Sequence, residues 1–153
     1  MKRRLQIFAS DIAAALVTAT ASFATDEHGT EAEAIALLDR ALVELKADND
    51  AAIAKFNDPK GGFQDRDLYV FCADLGDSIL IAHANLVGTN LRELKDSHGK
   101  PFGAEMLDTP VEGQITEIEY MWPRPSGGDP VDKISRITKI GDLMCGVGYY
   151  KGE

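Results

Sequence analysis

The stretch Tyr120-Met121-Trp122-Pro123-Arg124-Pro125, followed after a Gly/Asp-rich loop by Lys133 and then by Gly146-Val147-Gly148-Tyr149-Tyr150, decides the reading of this chain. Leading into it, Ile115, Glu117 and Glu119 alternate with Thr116, Ile118, Tyr120 and Trp122. Successive side chains of a strand point to opposite faces, so this run predicts one polar face and one apolar-aromatic face. Residues 133–140 and 143–150 read as two further strands around a Gly141-Asp142 turn. Neighbouring strands thus carry aromatic rings and a cation. Apolar walls with a few polar groups fixing orientation are how a pocket for a small polar molecule is built.

Toward the N-terminus, Asp67-Leu68-Tyr69-Val70-Phe71 opens a strand over 68–73, with a turn at 75–77 and a hairpin partner over 78–83 that ends Ile81-Ala82-His83. Before it, Ile35, Leu38, Leu42 and Leu45 recur at helical spacing and predict one buried helix face. Thr30 with Glu33 forms a capping-box start. Asp48-Asn49-Asp50 interrupts the pattern with residues that cap well, and Ile53 and Phe56 resume it. The prediction is a long helix, a break, and a short second helix ended by Pro59 and Gly61-Gly62. Between strands two and three lie a short helix over 85–96, a turn at Ser97-His98-Gly99-Lys100-Pro101, and another short helix over 102–109 closed by Pro110 and Gly113. The order predicts an α+β fold, a long N-terminal helix packed on a five-stranded antiparallel sheet.

The bulk properties bound the function. The chain has 153 residues, 44% hydrophobic and 27% charged, which is one soluble globular domain with a single core. Its net charge is −9, and no basic run interrupts it, so phosphate backbones are repelled and nucleic acid is not a partner. Met1-Lys2-Arg3-Arg4, the apolar and small residues 12–21, and Ser22-Phe23-Ala24 have the layout of a signal peptide cleaved after Ala24, with Ala21 as the second choice. Asp11 departs from a good apolar core. The run is shorter than the roughly 20 residues a transmembrane helix needs. Loss of residues 1–24 removes three cations and one anion and leaves −11. The expected organisation is a leader over 1–24 and one domain over 25–153.

No catalytic constellation is visible: no Gly-x-Ser-x-Gly elbow, no His-Glu-x-x-His, no Cys-x-x-Cys and no phosphate-binding glycine loop. His28, His83 and His98 are scattered singly, and Asp96, His98 and Asp108 read as an ordinary turn rather than a metal site. The expectation is a binding protein without metal or cofactor, not an enzyme. Tyr120 and Trp122, two residues apart, share a strand face and suit a pocket wall, although plain core is the commoner fate of strand aromatics. Lys133 reads equally as a solvated strand end or as a pocket cation, and a buried ammonium needs an anion or several acceptors.

Together, the Tyr-x-Trp-Pro element, Lys133, the closing Gly-Val-Gly-Tyr-Tyr strand, Asp67-Leu-Tyr-Val-Phe and Ile81-Ala82-His83 resemble the single Cache domain, the extracytoplasmic sensing module of bacterial chemoreceptors and sensor kinases. The resemblance covers about residues 31–151. It implies a PAS-like sheet with the long helix on one face and a ligand pocket on the other, roofed by the short helices. It implies that Tyr120, Trp122, Lys133, His83 and Tyr69 are ligand-binding, with Lys133 at the family's basic position at the start of the fourth strand. His83 then donates to a ligand or fixes the next loop; a structural histidine satisfied by backbone is the open alternative. Tyr69 and Tyr149 each face either the pocket or the long helix. The resemblance also makes the strands holding Cys72 and Cys145 antiparallel neighbours, compatible with a bridge; two buried small hydrophobes is the other reading. Between His83 and Gly88 the chain has only Ala84-Asn85-Leu86-Val87, shorter than the family's Pro-containing segment, which trims the pocket rim.

The expectation is an exported, periplasmic, stand-alone sensor-type domain. Its ligand is a small organic molecule, a short carboxylate by preference, and its signal passes through a membrane receptor or kinase. The competing expectation is a ligand-free structural or interaction module of the same fold. Oligomeric state is left open. Mass spectrometry of the exported protein should find Thr25 at the N-terminus; a product that still begins at Met1 would contradict the leader.

Overall fold

The computed structural model describes residues 27–152, so the expected leader over 1–24 lies outside the described residues. Helix α1 spans Glu31–Ala47 and α2 spans Asn49–Asn57. The Thr30 hydroxyl accepts from the Glu33 N–H at 3.3 Å while Glu33 Oε2 accepts from the Thr30 N–H at 2.7 Å, the reciprocal capping box. Asp48 ends one helix and starts the next. Its N–H donates to the Glu44 carbonyl and its carboxylate accepts from the Ala51 N–H, both at 3.0 Å. One residue thereby satisfies orphan groups of both helix ends.

Six strands follow: β1 Gln64–Asp65, β2 Leu68–Asp74, β3 Leu80–Ala82, β4 Thr116–Trp122, β5 Val131–Ile140 and β6 Leu143–Tyr150. The sheet is antiparallel in the order β1-β2-β6-β5-β4. β3 pairs with β2 on the same outer edge as β1, at the other end of the strand. The expected five strands are present, joined by the two-residue β1.

The sheet divides the core in two. Leu68, Val70, Cys72, Cys145 and Val147 face α1 and α2, whereas Tyr69, Phe71, Ile118, Tyr120, Ile137 and Met144 face the other way. Against the helix face pack Ala34, Leu37, Leu38, Ala41 and Leu45 of α1. That stripe is turned from the sequence expectation: Leu38 and Leu45 are buried, Leu42 is partly buried, and Ile35 is 36% exposed. Ala34 and Ala41 take the central places because their small side chains allow the helix backbone close to the sheet, where a larger residue would hold it off.

The second face is covered by a 3₁₀ turn, Leu91–Glu93, and by helix α3, Phe102–Asp108. The helix expected over 85–96 shrinks to that turn for a physical reason. Its backbone is spent on β3: Gly88 N–H donates to the Leu80 carbonyl, Leu80 N–H to Thr89, and Leu91 N–H to Ser78, at 2.8–2.9 Å. Groups bound across to a strand cannot also close a helical ladder. α3 then sits directly on the turn, since a Cβ at Gly103 would come within 1.8 Å of the Leu91 carbonyl oxygen.

Cys72 and Cys145 lie opposite each other in the β2–β6 ladder, with Cα atoms 4.1 Å apart, and are joined as a disulfide. Both are fully buried, under α1 and α2. The bridge spans 73 residues of sequence, and closing a loop of that length is worth about 4 kcal/mol in the chain-entropy account. Protein from an oxidising compartment, unfolded without reductant, should show no titratable thiol, and reduction should cost about 2–5 kcal/mol of stability. Two titratable thiols before reduction would contradict the pairing.

Candidate functional site

On the face away from α1, alternation along four strands brings together the residues that the sequence singles out. Register pairs Lys133 of β5 with Tyr120 of β4 on one side and Tyr150 of β6 on the other. Tyr69 of β2 reaches the same place, and its hydroxyl accepts a hydrogen bond from Lys133 Nζ at 2.8 Å. The same nitrogen lies 4.3 Å from the Tyr69 ring centre and 4.9 Å from that of Tyr150, within cation–π range. Lys133 is 0% exposed. Burial pulls its amine down to about 7, with Asp67 pulling the other way.

Space for this lysine comes from Gly148. A Cβ there would come within 2.3 Å of Lys133 Cε and 2.5 Å of Ser135 Oγ. Ser135, also fully buried, hydrogen-bonds the Tyr120 hydroxyl at 2.9 Å. Burial raises Tyr69, Tyr120 and Tyr150 above the ordinary phenol range, so all three stay neutral. The site therefore holds one amine among neutral hydroxyls. Among the described residues, no carboxylate lies within 4.0 Å of that amine.

His83 stands at the end of β3 with its ring 4.7 Å from that of Tyr69. Its backbone N–H donates to Asn57 Oδ1 at 3.2 Å, while Asn57 Nδ2 donates to the Ile81 carbonyl at 2.8 Å. The last residue of α2 therefore fixes the end of β3. His83 Nδ1 accepts from the Asn85 N–H at 3.1 Å, which leaves Nε2 to carry the ring proton. Burial first, and Lys133 second, lower this histidine to about 3, so it is neutral. It can donate to an anion through Nε2 without charging.

Tyr120 stacks on Phe102 of α3 at 4.2 Å between ring centres, and Trp122 meets Phe102 edge-on at 5.1 Å. With Phe71, Leu80, His83, Leu91, Leu94 and Met106, these three rings line a cavity of about 10 Å³. That is room for about one water, against roughly 300–1,000 Å³ for pockets that bury a drug-sized ligand. Three of the five expected residues, His83, Tyr120 and Trp122, line the cavity. Tyr69 and Lys133 do not line it but adjoin it through the Tyr69–His83 ring contact.

The cap over this cavity is tied to the sheet by polar contacts at its rim. Lys100 Nζ donates to the Glu119 carbonyl at 2.6 Å, and Asp96 Oδ2 accepts from the Met121 N–H at 3.1 Å. Asp96 Oδ1 closes the 96–100 turn, and Asp108 is held by Arg92 at 2.9 and 3.1 Å, so His98, Asp96 and Asp108 do not converge on a metal. Among the described residues, no group of three acidic, His or Cys side chains could hold one.

Three participants escape the sequence reading. Tyr150, not Tyr149, shares the buried face with Lys133; Tyr149 packs on the α1 side. Strict alternation from Gly148 was the available signal. Ser135 follows Lys133 by two residues and so shares its face. Asp67 opens the motif at 67–71, but nothing in the sequence assigns it a partner. It is 5% exposed, accepts from the Gly29 N–H at 2.7 Å, and pairs with Arg124 at 3.2 Å and His28 at 3.1 Å. Arg124 in turn lies 5.0 Å over the Tyr150 ring. A larger open groove of about 520 Å³ lies beyond, lined by His28, Thr30, Glu31, Arg124, Tyr149 and Lys151 among others, but none of the five expected residues reaches it.

Residues 8–150 match the family Single Cache domain 2. The chain belongs to the single Cache family. Three solved structures are similar to this Cache domain in fold. One is a methyl-accepting chemotaxis protein from Vibrio parahaemolyticus, at 22% identity and a TM-score of 0.64, covering 78% of this chain and 86% of that one. A periplasmic sensor domain of a chemotaxis protein follows at 22% identity and 0.60, covering 79% and 90%. A Cache chemosensory domain described for carboxylic acid recognition stands at 20% identity and 0.57, covering 79% and 88%. No curated protein matches this Cache domain. Among its described residues, no helix is long and apolar enough to cross a membrane.

Proposed function

We propose that this Cache domain is an exported, periplasmic sensor module that binds a small organic molecule, a short carboxylate, at Lys133 and passes the signal to a membrane receptor or kinase. The observation that carries the reading is the state of Lys133. It is a fully buried amine with a single phenol as hydrogen-bond acceptor and no carboxylate within reach among the described residues. A buried ammonium is stable only when paired. Among the described residues, the carboxylate that acts on this amine, Asp67, is spent on Arg124, His28 and the Gly29 N–H. An entering carboxylate supplies the missing partner. Tyr69 and the Nε2–H of His83 can donate to its oxygens, and Tyr120, Trp122, Phe102 and Met106 receive a short apolar tail.

Recognition of carboxylic acids by a structurally similar Cache domain supports the same ligand class. The signal-peptide layout of residues 1–24 in the sequence motivates export, and the mass of the exported chain tests it. A cavity of about 10 Å³ cannot take even a two-carbon acid, so entry requires the cap at 84–108 to move outward.

That same small volume favours a second reading, a filled module that binds other macromolecules and no small ligand. Calorimetry separates the two. Acetate, propionate and longer acids are titrated into the parent, Lys133→Met and Trp122→Ala. The sensor reading expects Lys133→Met to fold and to lose roughly 2–5 kcal/mol of binding to whichever acid the parent takes. Trp122→Ala should lose both affinity and stability, because wall and core go together. Parent-like affinity in Lys133→Met would place the cation elsewhere, at Arg124 or Arg136. Failure of every acid would favour the filled module.

A further inference from the structure

We infer that this site takes up one proton with each carboxylate it binds, so that the domain responds to a weak acid as a whole, anion and proton together. The inference rests on the carboxylate reading and adds to it the charge state of the resting site.

The groups around Lys133 Nζ can be named from every element packed against it. β2 contributes Tyr69, β4 contributes Tyr120, β6 contributes Tyr150 and the end of β3 contributes His83. The cap contributes only apolar side chains to the adjoining cavity: Leu91, Leu94, Phe102 and Met106. Asp67, from the loop before β2, opposes the effect of burial on the amine and is itself paired with Arg124 and His28. The phenols are held above their ordinary range and His83 near 3, so neither type changes charge around neutrality. Lys133 is the member of this cluster that does, with burial bringing it to about 7.

Charge balance then fixes the stoichiometry. A carboxylate beside a neutral amine would bury an unpaired negative charge, whereas a carboxylate beside an ammonium buries a hydrogen-bonded pair. Above about pH 7 the resting amine is mostly neutral, so binding must add a proton to Nζ, drawn from solvent; no covalent bond to carbon changes. Linkage sets the consequence. Affinity should fall about tenfold for each pH unit above 7, and stay level below 7 down to the acid's own pKa of about 4.

The test has two independent readouts. With isotopically labelled lysine, the Lys133 side-chain signal of the unliganded domain should titrate near pH 7, and saturating acetate or propionate should move its midpoint upward by about two units or more. The signal is assigned by its loss in Lys133→Met, or through-bond in the native protein should that variant not fold. Calorimetry of the same acids at about pH 8, in buffers of different ionisation enthalpy, should show uptake approaching one proton per acid. A free midpoint near the ordinary lysine value of about 10 overturns the inference, whatever binds. An acid that binds with no proton uptake also overturns it but leaves the carboxylate reading standing. A midpoint near 7 with no acid bound in either buffer overturns both.

Discussion

The interaction on which this structure turns is the burial of the Lys133 amine among three tyrosines. An ammonium placed in the interior loses hydration worth several kcal/mol even after relaxation, and one phenol oxygen at 2.8 Å with two ring faces returns only part of it. The rest of that face is arranged around this cost. Gly148 clears the path for the lysine stem, Ser135 occupies the Tyr120 hydroxyl, and Asp67 is taken by Arg124 rather than by the amine. Stability alone would be better served by an apolar residue of the same length. The proposed function gives this costly placement a use, as the partner of an entering carboxylate.

The two faces of the sheet have different work. Between the sheet and α1–α2 lies an apolar core with the Cys72–Cys145 bridge at its centre. Under the 3₁₀ turn and α3 lies an aromatic and polar layer with the one small cavity described above. The helix side is locked by covalent and apolar contacts. The cap side is held at its rim by Lys100–Glu119 and Asp96–Met121, contacts that water can replace. Any rearrangement that admits a ligand is therefore expected in the cap and not in the helix layer. Asn57 connects the two, since it ends α2 and fixes the strand end that presents His83.

Much of this was legible in the sequence because strand alternation and capping are local. Thr30 and Glu33, the helix break at Asp48-Asn49-Asp50, the alternation through Tyr120 and Trp122, and the opposed cysteine strands follow from residues close in sequence or from the family resemblance. What the sequence could not supply depended on close approach. The α1 stripe is centred on Ala34 and Ala41, and size-weighted hydrophobicity points instead to Ile35 and Leu42. The reduction of the 85–96 helix to one turn follows from hydrogen bonds to β3 that no local pattern encodes. Asp67 gains its role only through contacts with His28, Gly29 and Arg124, from both ends of the domain. The filled state of the cavity is likewise a packing outcome.

The central claim is that Lys133 is an uncompensated buried amine. Its folded pKa of about 7 lies below the ordinary value of 10.5, so the unfolded chain binds more protons between those limits. Stability should therefore rise with pH across that window, with the cost of the buried charge felt in full below about pH 7. Urea unfolding of the parent and of Lys133→Met, compared from about pH 6 to 9, measures this directly. The account predicts that above pH 7 the parent gains stability relative to the variant by up to about 1.4 kcal/mol per pH unit. Parallel curves for the two proteins would contradict it.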